Sequence, residues 1–217
     1  MNPLRKGVSS LRQSWKKVKT AYPRLAWTMS AMVWLPTGIA FNEYFYSLKF
    51  VSGRSMQPTL NPDDSAWRDV ILFDHFSINW LQKFRRGDIV ALKSPHEGKL
   101  IVKRIVALPG DTIKTLPPYP DAEVRVPEGH AWVEGDEPFR SEDSNYFGPV
   151  PLGLIQSKLS VIVWPPERMG ALLPPGDPNR PKPLTGPARR RERDEIDRQK
   201  RREARVTESP QPRSFQS

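Results

Sequence analysis

The sequence contains no cysteine. Disulfides, thiolate catalysis and cysteine-ligated zinc are therefore excluded, while the compartment stays open, because a disulfide-free domain works in either redox setting. Histidine is almost as scarce: His75, His96 and His130 are the only three and lie in separate segments. There is no G-x-S-x-G elbow and no H-E-x-x-H zinc pair, so Ser–His–Asp chemistry and a zincin site have no footing. Acidic residues are missing from the first 24 positions. Long uncharged apolar runs are missing too, the best being the seventeen residues Leu25–Phe41, which Asn42 and Glu43 interrupt. No βαβ alternation, no long helical periodicity and no internal repeat is visible, which removes the α/β classes.

Positive charge is abundant, and its placement matters more than its sum. Of the net +10, residues 1–24 carry +7 and residues 174–217 carry +5, leaving 25–173 at −2. A folded basic groove for nucleic acid is not expected; basic ends are. The segment 1–24 has the composition of a mitochondrial targeting peptide and equally that of the positive flank of a membrane span. The run Leu25–Phe41 falls slightly short of the ~20 residues a bilayer core needs. The aromatics of "YFYSLKFV" then continue it in a manner suited to an interface, and membrane helices tolerate residues such as Pro36 and Gly38. One transmembrane anchor over 25–50 is predicted, against a buried amphipathic helix as the competing reading. If it spans, everything after Val51 faces the side opposite the basic N-terminus.

From 51 to 173 the pattern is one of short β-like runs. "DVILF", "DIVALK", "KLIVKRIVAL", "TIKTL", "EVRV", "HAWVEG" and "LSVIVW" are separated by turn pairs such as Gly87-Asp88 and Gly135-Asp136. A mainly β, antiparallel domain is predicted there. Gly135 and Asp136 read as turn residues, with Asp136 near enough to a candidate site to reinforce it. The stretch 174–217 is rich in proline and mixed charge and is expected to be a disordered tail, with a transient charged helix over 188–205.

Chemistry centres on "SGRSMQPTL", residues 52–60. A serine there needs a base and an oxyanion site before it can act as a nucleophile. With histidine set aside, lysine is the remaining base, and a lysine serves only where burial or a cationic neighbour makes its amine neutral. Lys103 lies inside "LIVKRIVAL". On a strand Lys103 and Arg104 point to opposite faces, so one of them enters the apolar side; a solvent-facing Lys103 on an edge strand is the alternative.

"SGRSMQPTL", "RRGDIVALKSP", "LIVKRIVALPGD" and "GHAWVEGDEPFRSEDSNYFGPVPLGLI" follow one another in the order of the blocks of type I signal peptidases, which they resemble. The later blocks and "WPPER" are most similar to the subunit 2 group of the mitochondrial inner membrane protease. The resemblance spans about 51–168 and implies a signal-peptidase-like fold and a membrane-anchored Ser/Lys endopeptidase. Ser55 would be the nucleophile and Lys103 the general base. Ser141 would orient the lysine amine and Asp143 brace the site. The backbone N–H of Ser55 would serve the oxyanion, because Gly53 stands where bacterial relatives place a serine hydroxyl. Asn145 replaces an arginine expected to pair with Asp143, a change that fits the mitochondrial group; a hydrogen bond from Asn145 would substitute. Met56 and Pro58 either line a substrate pocket or simply pack.

The resemblance further implies precursor proteins with cleavable sorting peptides as substrates and the other catalytic subunit of the protease as partner. It places the protein in the mitochondrial inner membrane with its catalytic domain in the intermembrane space, and requires no cofactor or metal. The rivals are a signal peptidase of a bacterial or secretory membrane and a non-catalytic stabilising subunit. A soluble self-cleaving repressor would need a DNA-binding domain for which the first fifty residues leave no room.

Overall fold

The computed structural model describes residues 23–62, 65, 67–173 and 186–209. The expectations for 1–22, 174–185 and 210–217 lie outside those residues. The chain divides into two compact units, Met1–Tyr44 and Phe45–Ser217.

In the first unit, helix α1 (Pro23–Tyr44) has 22 residues, or roughly 33 Å at 1.5 Å per residue. Its apolar side chains are open: Trp27, Met32, Val33, Trp34 and Leu35 are each at least 65% exposed. Pro36 lies inside it and has no N–H to donate. The Thr37 hydroxyl donates to the Val33 carbonyl at 3.2 Å. Among the described residues no helix is long and apolar enough to cross a membrane. The helix also stops short of the 25–50 boundary.

The second unit opens instead with β1 (Tyr46–Phe50), which pairs antiparallel with β2 (Val70–Asp74). Tyr and Phe favour strands, and Ser47 is buried against His75 Nε2 at 2.9 Å, which commits this segment to the sheet. Then follow α2 (Phe76–Asn79), β3 (Ile89–Lys93), β4 (Leu100–Ala107), β5 (Thr112–Lys114) and β6 (Glu123–Arg125). After β7 (His130–Glu134) come α3 (Ser144–Phe147), β8 (Val150–Pro151), β9 (Ile155–Trp164) and β10 (Gly170–Ala171).

The main sheet runs β1-β2-β9-β3-β4-β7-β8, with β10 on β9, and every pairing is antiparallel. A mainly antiparallel β fold is what the turn-punctuated runs predict. Each quoted run coincides with a strand. β3 is buried on both faces, Val90 and Leu92 in one cluster and Ile89 and Ala91 in another, which is why its sequence reads as continuous rather than alternating apolar.

The C-terminal segment departs from expectation. Residues 186–209 are ordered: the charged helix expected as transient over 188–205 is present as α4 (Gly186–Glu203) and leads into β11 (Val206–Thr207), which joins β5 and β6 as a second sheet, Val206 opposite Ile113. Composition predicts disorder because little apolar surface is available there. The segment is held by arginines on buried acids and carbonyls and by strand pairing, neither of which a count of apolar residues registers.

Candidate active site

The loop 51–69 between β1 and β2 carries Ser55, and its two ends are laced together. Val51 N donates to Asp69 O at 3.0 Å, and Asn61 Nδ2 to Val51 O at 2.9 Å. Asn61 and Asp69 exchange two backbone-to-side-chain bonds of 2.8 Å. Arg168, from the "WPPER" stretch, reaches both Asp69 Oδ2 (3.0 Å) and Thr59 O (2.8 Å). Met56 and Leu60 seal the loop into the core at 2% and 1% exposure. Gly53 has φ +101°, a left-handed conformation that side chains resist.

Both Lys103 and Arg104 are buried, because β4 is covered on both faces. Lys103 sits opposite Val90, on the side of Ile101 and Ile105, and its Nζ donates to Ser141 Oγ at 2.9 Å. Burial is the largest influence on this amine and pulls its pKa below the ordinary lysine value, against the opposing charges of Asp143, Glu142 and Asp136. The chain of contacts continues. Ser141 Oγ donates to Asp143 Oδ2 at 2.9 Å, and Gly135 N donates to the same oxygen at 3.0 Å. Asp143 Oδ1 accepts from Asn145 N at 3.1 Å and from Asn145 Nδ2 at 3.0 Å. The hydrogen bond expected of Asn145 in place of an arginine is thus present, and Leu116 N fixes the amide by donating to its Oδ1 at 2.8 Å.

Ser55 is half-buried and meets this chain through its backbone. Its carbonyl accepts from Glu137 N at 3.0 Å. No hydrogen bond joins its hydroxyl to the Lys103 amine. The two sides touch across Gly135, where a Cβ would lie 2.7 Å from Ser55 O and closer still to Ser141 Oγ. Gly135 is therefore needed for close approach, a role that its reading as a turn glycine misses.

Asp136 is likewise more than a turn residue. Arg104 binds it with both forks (Nε–Oδ1 2.9 Å, Nη2–Oδ2 2.7 Å). Thr59 of the nucleophile loop donates to Oδ2 at 2.5 Å, and Arg202 Nη1 reaches Oδ1 at 2.9 Å. Burial alone would raise this carboxyl, but the charge and hydrogen bonds of Arg104, then Arg202 and Thr59, hold it well below the usual carboxylate range.

Beside Ser55 an open cavity of about 400 Å³ is lined by Gly53, Arg54, Gln57, Trp67 and Arg68 among others. Met56 belongs to the core rather than to that wall, and Pro58, half-buried, does not line it either. The histidines sit elsewhere: His75 on Ser47 and Gln156, His130 on Glu128, and His96 beside the Phe147 ring. Among the described residues no group of three or more His, Asp or Glu is placed to hold a metal ion.

A buried lysine amine that donates to a serine hydroxyl, itself held by a carboxylate, thus lies on an antiparallel sheet that also carries a tethered serine-bearing loop. The chain belongs to the signal peptidase family, peptidase S26, which matches residues 24–117 and 114–164. Among its relatives, mitochondrial inner membrane protease subunit 2 of Saccharomyces cerevisiae is 43% identical over 145 residues, 66% of this chain and 82% of that one. The protein of the same name from Danio rerio is 47% identical over 131 residues, 60% of this chain and 70% of that one. Mitochondrial inner membrane protease subunit 1 of Schizosaccharomyces pombe is 37% identical over 134 residues, covering 61% and 83%.

Proposed function

We propose that this chain is a serine endopeptidase of the mitochondrial inner membrane that removes sorting peptides from precursor proteins, with Ser55 as nucleophile and Lys103 as general base. The observation that carries the reading is the Lys103 amine, 3% exposed and donating to Ser141. Donation to Ser141 aims the nitrogen and leaves the lone pair of a neutral amine free to take a proton.

In the proposed reaction the Ser55 oxygen bonds to the scissile carbonyl carbon as its proton passes to Lys103. The backbone N–H of Ser55 holds the tetrahedral oxyanion. Collapse breaks the C–N bond, and the Lys103 ammonium returns the proton to the leaving amine. Water, deprotonated by the same amine, then attacks the acyl-enzyme; the acid product departs and Ser55 recovers its proton. Asp143 holds Ser141, and Asn145 holds Asp143. Side chains and backbone supply every step.

The dyad is tested in the full chain by Ser55→Ala and Lys103→Ala, each expected to lower precursor cleavage by about 10³-fold or more with the melting curve retained. Cleavage within about tenfold of the parent in either variant rejects it.

The relatives' names support placement at the mitochondrial inner membrane and association with a second protease subunit of the same family. The relatives' names, rather than the length or apolarity of α1, support the single anchor predicted over 25–50, with the catalytic unit in the intermembrane space. A shared membrane would bring enzyme and tethered substrate together at high effective concentration. Carbonate extraction should leave the full-length chain in the membrane pellet; recovery in the supernatant removes the anchor. Protease added to mitochondria with a ruptured outer membrane should reach the catalytic unit, and its protection there would reverse the orientation.

A further inference from the structure

We propose that Arg202 and Arg198 of the C-terminal helix are positioning residues of the peptidase, clamping the Gly135–Asp136 turn and the nucleophile loop in one register. This deepens the Ser55/Lys103 reading and rests on it. The two arginines are one helical turn apart and so face the same way. Arg202, 8% exposed, donates from Nη2 to Gly135 O at 2.9 Å and from Nη1 to Asp136 Oδ1 at 2.9 Å. Arg198 Nη1 donates to Asp136 O at 3.0 Å and to Gln57 O at 3.4 Å. Two consecutive carbonyls of one turn, and the carbonyl two residues beyond Ser55, are thus gripped from one helix.

The other side of that turn faces the site. Gly135 N donates to Asp143, Glu137 N donates to Ser55 O, and the bare Cα of Gly135 is the surface on which Ser55 and Ser141 meet. Gly135 has no side chain through which the core could hold it, so its position depends on its backbone bonds. The planar, forked guanidinium suits this task, since it serves a carbonyl and a carboxylate at once, which an ammonium does poorly. If the turn shifts, Ser55 and Ser141 shift with it, and displacements of about 1 Å cost on the order of 10²-fold in rate. Neither arginine touches substrate in this account. Both lie beyond residue 164, where the family match ends.

The test uses the full-length chain and a peptide spanning a precursor cleavage site. Arg202→Ala and Arg198→Ala are expected to lower kcat by roughly 10- to 100-fold with KM within about twofold. Arg202→Lys, which keeps the charge but not the fork, should recover part of the loss, and Arg201→Ala, on the exposed face, should match the parent. Melting curves accompany each variant. Should Arg202→Ala melt below the assay temperature, Arg198→Ala, which removes no contact to a carboxylate, decides. A kcat within about twofold of the parent in the folded variants, or a loss carried by KM, overturns the inference alone. Cleavage that survives Ser55→Ala overturns the dyad and this inference together.

Discussion

Under the proposed dyad Lys103 has to be neutral to act, and its surroundings pull in two directions. Burial lowers its pKa, while Asp143, Glu142 and Asp136 raise it. Glu142 is the informative one, because it is exposed and makes none of the site's hydrogen bonds, so it acts on the amine through charge alone. The active form is the free amine, whose fraction grows as pH rises through the lysine pKa. Removing a carboxylate that raises that pKa moves the rising limb to lower pH. Glu142→Gln should therefore shift the acid limb of the kcat/KM profile downward and increase the rate at any pH on that limb. The difference should shrink in roughly 1 M salt, where an exposed charge is screened within about 3 Å. A limb that stays in place or moves upward contradicts this assignment of the base. The hydrogen-bonded series Lys103, Ser141, Asp143 and Asn145 was legible because all four stand in the blocks that carry the family resemblance. Gly135 was legible as a turn glycine but not as a point of close approach, since a glycine before an aspartate looks like any turn until the two serines that crowd it are in place.

The strands were legible as elements because short β-branched runs between turn pairs admit few other structures. Two segments were not. Tyr46–Phe50 adjoins a helix whose only charges, Arg24 and Glu43, lie near its ends and shares its aromatic character, so apolar composition alone could not separate anchor from edge strand; the buried Ser47–His75 contact is what distinguishes them. Residues 186–209 were misread for the opposite reason. Their order comes from long-range polar contacts: Arg205 on Glu134 Oε2 at 2.6 Å, Ser209 N on Asp111 Oδ1 at 2.8 Å, and Lys114 N on Arg205 O at 2.9 Å. Each partner lies more than sixty residues away, and no local pattern announces it. The loop 51–69 shows the same limit, since Arg168 grips it from far along the chain.

Across the whole molecule the distribution of charge acquires a structural meaning. The body between 25 and 173 carries −2 and the C-terminal 44 residues +5, and part of that excess neutralises acids the body has buried. Glu134 and Asp136, 4% and 3% exposed, take Arg205 and Arg202 respectively. A chain ending at Leu173 would keep Arg104 on Asp136 but leave Glu134 without Arg205 and expose the edge of β5. Breaking a buried ion pair by removing one partner costs about 3–5 kcal/mol, so urea unfolding at neutral pH should show a loss of that order. The sign of its pH dependence follows from Asp136. A carboxyl held low in the folded chain stabilises it fully above the unfolded pKa of about 4 and loses that contribution as pH falls toward the folded value. Part of the depression comes from Arg202, which the shortened chain lacks. The two unfolding curves should therefore lie far apart at neutral pH and draw together as the pH drops below about 4. Equal midpoints at neutral pH would mean that the helix rests on the body without supporting it.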